Sequence, residues 1–94
     1  MARVHVVLPH SLDIDTAEAR LRCFLDAPAL RERLKMTEAR WGNRNVELAG
    51  ENWSGRAYVT ARDVEVDLEL GGMLGFFAGA AESELKKRLA EALR

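Results

Sequence analysis

Cysteine, histidine and proline are scarce in this 94-residue chain, which has one, two and two of them. With Cys23 alone, no intrachain disulfide can form, so apolar packing must hold the fold and a reducing compartment suits it. Two histidines far from that cysteine cannot supply the closely spaced Cys/His ligands of a zinc module. Long apolar runs are missing as well. The longest, Gly71 to Ala81, is about half a membrane span, so no transmembrane segment is expected. The stretch from Met1 to Leu8 is too short for a signal peptide, and Pro9-His10 ends it. A cytoplasmic protein is expected. Nor is there an excess of either charge: fourteen basic and fifteen acidic side chains leave a net charge of −1. A nucleic-acid partner is not expected, because a duplex binder needs a basic face to displace counterions from phosphate.

What is present is the balance of an ordinary globular protein, with 48% apolar and 31% charged residues. The length suits a single domain over residues 1–94, with a core thin enough that a partner surface would help.

Arg3 to Leu8 alternates apolar and polar positions and reads as a strand closed by Pro9. A helix follows, with Asp15 and Glu18 spaced as a capping box and Ala17, Leu21, Phe24 and Leu25 at helical intervals. Pro28 either kinks this helix or starts a new one capped by Asp26, running to about Lys35. Four strands are predicted next: Met36 to Trp41, Asn45 to Ala49, Trp53 to Thr60 and Val64 to Leu70, joined by short turns as an antiparallel meander. In the last, Val64, Val66, Leu68 and Leu70 face one way and Asp63, Glu65, Asp67 and Glu69 the other. Such a strand belongs to a sheet with one dry and one wet face. Cations to offset its carboxylates are expected from Arg3, His5, Arg56, and Arg40 or Arg44. A terminal helix repeats Leu85, Leu89 and Leu93 every four residues, with Glu82/Lys86 and Glu84/Arg88 as i,i+4 pairs. The order β-α-β-β-β-β-α predicts a two-layer α+β domain, a five-stranded antiparallel sheet with two helices on one face. The first strand should lie beside the last, setting Arg3 and His5 against the acidic row.

No catalytic residues, metal ligands or cofactor-binding residues are predicted. The acidic strand spreads its carboxylates along a ridge, whereas a calcium loop wraps its ligands around the ion. Ser11, Ser54 and Ser83 lack a nucleophile elbow, and Cys23 on an apolar helix reads as an inert core thiol. His5 and His10 read as surface or structural groups, His10 being placed to cap the following helix or line a pocket at the strand–helix junction. Gly75 and Gly79, four apart, would let a helix approach a neighbour closely. Met73, Leu74, Phe76 and Phe77 are the candidate partner contact. Adjacent phenylalanines cannot both face inward on a regular helix, so one is left for a partner or an apolar assembly.

Several segments come in a recognisable order: Pro9-His10-Ser11-Leu12, Ala17 to Arg20, Trp53-Ser54-Gly55-Arg56, Val64 to Gly71, and Leu74-Gly75-Phe76-Phe77-Ala78-Gly79. Together they resemble the polyhydroxyalkanoic acid system family, also called the polyhydroxyalkanoate granule-region protein, over Val4 to about Leu93. Cys23 to Leu30, with Pro28, departs from the shorter, unbroken first helix expected of that family. The resemblance implies a setting in bacterial polyester storage and brings no catalytic residues with it. The strand order is also similar to the TATA-binding-protein-like topology, whose DNA-reading use needs a basic sheet where this one is acidic. The expectation is therefore a non-enzymatic accessory protein acting by contact with a granule or a granule-associated protein. A carrier is the alternative, holding an acyl or hydroxy-acid ligand between helix and sheet against Leu21, Phe24, Trp41, Trp53 and His10. A homodimer is expected through an exposed sheet edge at Met36 to Trp41.

Overall fold

A computed structural model describes residues 2–72 and 78–94. The chain runs β1 (Ala2–Pro9), α1 (Ile14–Asp26), α2 (Pro28–Leu34), β2 (Met36–Trp41), β3 (Asn45–Gly50), β4 (Trp53–Val59), β5 (Asp63–Leu70) and α3 (Ala78–Ala92). All five strands form one antiparallel sheet in the order β1-β5-β4-β3-β2. The first strand pairs with the last, as its isolation from the meander implied. Val4 faces Leu68 and His5 faces Asp67.

Period-two alternation decides the layers. Val4, Val6 and Leu8 of β1, Val46 and Leu48 of β3, Trp53, Ala57 and Val59 of β4, and Val64, Val66, Leu68 and Leu70 of β5 are all buried. They meet Ala17, Leu21 and Leu25 of α1 and Leu89 and Leu93 from the α3 end in one core. Each fully buried aliphatic side chain contributes about 1.5–3 kcal/mol relative to exposure, so this single interface supplies most of what holds the fold. Arg20 of α1 donates to the carbonyls of Ala92 and Arg94 at 3.3 and 2.9 Å, occupying acceptors that a helix end leaves open.

Details of the helical layer differ from the sequence reading. The cap of α1 is Asp13, not Asp15: its carboxylate accepts from the Thr16 amide, and its extended backbone starts the helix two residues earlier. Asp15 turns outward and pairs with Arg44 at 2.7 Å. At Pro28 the chain restarts instead of kinking. Ala27, rather than Asp26, takes the cap position, and Pro28 stands where its missing N–H is not needed. Helix α2 closes on Lys35, whose left-handed backbone (φ 50°) returns the chain into β2. Cys23 is exposed. It follows buried Leu21 by two positions, which on a helix of 3.6 residues per turn is the opposite face. Gly79 makes no close approach, since a Cβ built there meets nothing within 4 Å.

Candidate functional site

The solvent-facing side of the sheet is built by the positions between the buried ones. One row crosses all five strands through adjacent register partners: His5, Asp67, Arg56, Glu47 and Arg40. Cations and carboxylates alternate along it without a break, so each cross-strand neighbour is of opposite sign once His5 is protonated. The next row reads Arg3, Glu69, Ser54, Ala49 and Glu38. Its middle is short-sided, and between Ser54, Ala49 and the longer Arg3, Arg40 and Arg56 the face sinks into an open hollow of about 510 Å³. Tyr58, one row further, accepts from Arg56 at 2.9 Å and lines the same hollow.

The cations of this face are partly engaged. Arg3 bonds Glu69 at 2.8 Å and Arg40 bonds Glu38 at 2.6 Å. His5 stands between two carboxylates, with Nδ1 at 2.5 Å from Asp67 and Nε2 at 3.4 Å from Glu65. The ring's hydrogen bond to Asp67 raises the His5 pKa above its ordinary value of 6.5. The Asp67 and Glu65 charges reinforce that rise, while desolvation and the nearby Arg3 oppose it. The arrangement is that of an imidazolium with both N–H groups aimed at carboxylates. Donor atoms of His5, Glu65 and Asp67 also lie within 4.8 Å of one another, a spacing a divalent cation can use. Metal and imidazolium exclude each other, because a ring nitrogen must lose its proton to ligate. The sequence put the carboxylates on a ridge; the register of β1 against β5 is what draws Glu65 and Asp67 towards one ring.

Of the cations expected on the acidic row, Arg3 and His5 arrive and Arg56 faces Asp67 in register. Arg40 belongs to the same face but sits next to Glu47 and Glu38. Arg44 goes elsewhere. Its backbone is left-handed (φ 62°) at the β2–β3 turn, and its guanidinium reaches Asp15 and Glu18 of α1.

A sequence profile for the family described as "Putative polyhydroxyalkanoic acid system protein" matches residues 4–93. The chain belongs to this family. No curated protein and no solved structure matches it. Among the described residues, no helix of this polyhydroxyalkanoic acid system family member is long and apolar enough to cross a membrane.

The residues singled out for a ligand between helix and sheet are only partly brought together. Leu21, Phe24 and Trp53 surround a space of about 20 Å³, room for about one water molecule. Trp41 and His10 do not line it. Trp41 is half-buried on the edge strand, with the Arg22 guanidinium 4.3 Å from its ring centroid. His10 is a loop staple: Nδ1 accepts from the Leu12 amide at 3.2 Å, and Nε2 lies 2.9 Å from the Thr60 carbonyl. Since Nδ1 accepts, the proton sits on Nε2 and donates to Thr60, joining the entry to α1 with the β4–β5 turn. His10 therefore fixes the loop before α1 and does not cap the helix, a role Asp13 takes. Met73, Leu74, Phe76 and Phe77 lie outside the described residues.

Proposed function

We propose that this family member is a non-enzymatic accessory protein of the polyhydroxyalkanoate storage system. It works in the cytoplasm by contact with a protein partner, and the contact is made by the open face of its sheet. The observation that carries this reading is the alternating row from His5 to Arg40 beside a hollow of about 510 Å³. A surface patterned in both signs selects a partner with the complementary pattern and penalises a shifted one. A bare polyester surface offers no charges to read. The fully alternating row also offsets its own repulsion, so the face can stay open and ordered before a partner arrives. A carrier role has less support, since the space between helices and sheet is about 20 Å³.

The test is co-purification of the tagged chain with storage-system proteins from a polyester-accumulating bacterium. Ser54→Trp fills the hollow from an exposed position on β4, leaving the core side of the strand untouched. Loss of the partner with this variant, and retention with Lys87→Glu on α3, supports the reading. Retention with Ser54→Trp and loss with Phe76→Ser plus Phe77→Ser would transfer the contact to the apolar segment before α3. Retention with all of them would remove both surfaces.

A further inference from the structure

The sheet has two edges, β1 and β2, and they differ. Beside β1, Leu89 and Leu93 of the terminal segment are buried in the core. At the β2 end the apolar side chains Leu34, Met36, Ala39 and Trp41 are only partly buried. Strand β2 carries an irregularity between Met36 and Glu38, then runs regularly to Trp41.

Hydrogen-bond alternation tells which of its backbone groups are unspent. Gly42 donates to Asn45 across the turn at 2.9 Å. In an antiparallel pair bonded and non-bonded partners alternate. Arg40 with Glu47 is then a bonded pair, while Trp41 with Val46 and Ala39 with Leu48 are not. The N–H and C=O groups of Ala39 and Trp41 are therefore directed away from β3, at the open edge. Beside them, on the wet face, stand Glu38 and Arg40.

We propose that this edge pairs with the same edge of a second copy, antiparallel, with Ala39 on the two-fold axis. Symmetry allows few registers here. An axis at Glu38 sets Glu38 against the partner's Glu38, and an axis at Arg40 sets Arg40 against the partner's Arg40. Both juxtapose like charges. An axis at Ala39 sets Glu38 against the partner's Arg40 and Arg40 against the partner's Glu38, two opposite-sign pairs from one contact. It also brings the outward N–H and C=O of Ala39 face to face with those of the partner's Ala39, which is what a bonded antiparallel pair requires. Backbone phase admits an axis through any residue of the strand, and charge pairing singles out Ala39 among them. The two Glu38–Arg40 bonds, one within each chain, are exchanged for two between chains. Because Glu38 and Arg40 also line the hollow, the two wet faces become continuous and each hollow gains a wall from the other copy. The inference does not depend on the accessory role proposed above.

Sedimentation velocity on the full chain over a wide concentration range tests it. The expected species has twice the 10.5 kDa chain mass. Arg40→Glu alone, or Glu38→Arg alone, opposes like charges across the axis and is expected to weaken dimerisation at least tenfold. The swap Glu38→Arg with Arg40→Glu restores opposite pairs and is expected to recover the dimer. Ala39→Pro removes an N–H that β3 does not use, so it is expected to leave a folded monomer by circular dichroism. A monomeric wild type at the highest concentration overturns the proposal. So do single reversals that leave the dimer intact, or a swap that fails to rescue while remaining folded.

Discussion

Trp53 reaches out of the sheet and donates its indole N–H to the carbonyl of Leu34 at 2.6 Å. That carbonyl is one of the acceptors left open where α2 ends, because the Lys35 amide bonds back to Arg31 and Glu32. The indole can reach it because the register partner of Trp53 is Gly50, whose missing side chain leaves the ring its place. Trp53→Phe keeps most of the apolar area and leaves the carbonyl unpaired. A loss of about 1–2 kcal/mol is expected, read as a lower midpoint in urea with an unchanged slope. Gly50→Ala, whose Cβ would overlap the ring, is expected to cost at least as much.

Two further glycines should answer oppositely to alanine. At Gly55 on β4, an added Cβ would run into the Asp67 carbonyl and the Leu68 side chain of β5. The backbone cannot give way without parting the strands, so Gly55→Ala is expected to destabilise by about 1–3 kcal/mol. Gly79, in the first turn of α3, has nothing within 4 Å of such a Cβ. Gly79→Ala is expected to stabilise by about 0.5 kcal/mol through the unfolded chain. Thermal melts of the pair decide both.

The β1–β5 pairing should depend on pH through His5. The Asp67 hydrogen bond raises its folded-state pKa above 6.5, so the protonated ring favours the folded state. That contribution is fully present below 6.5 and is lost as pH rises through the higher folded value. Wild type is expected to be more stable than His5→Gln at pH 6, with the gap closing above the folded pKa. An NMR titration of the His5 ring should give a midpoint above 6.5. A midpoint below it, or a gap independent of pH, contradicts the ion-paired geometry.

The alternation from Asp63 to Leu70 made the sheet legible in advance, because a period of two with four carboxylates opposite four aliphatics admits only one dry face. The isolation of β1 from the meander placed it beside β5, and that pairing set Arg3 and His5 against those carboxylates. Local helix chemistry was harder to read. Asp13 and Asp15 both offer capping oxygens, and only the path of the chain leaving β1 chooses between them. Cys23 was misplaced because an apolar helix average hides which face a residue occupies. Arg44 was misassigned because parity along a strand says nothing about a left-handed turn residue, which aims its side chain at the helices. The five-strand charge row could not be read from the sequence, since it exists only once four registers are fixed together.

A photo-crosslinking amino acid at position 54, in the hollow of the open face, tests the proposed contact most directly in a polyester-accumulating cell. A matched probe at position 87 on α3 serves as its control. The account predicts a covalent adduct with a storage-system protein from position 54 and none from position 87. An adduct formed from position 87 alone, or from neither, would contradict it.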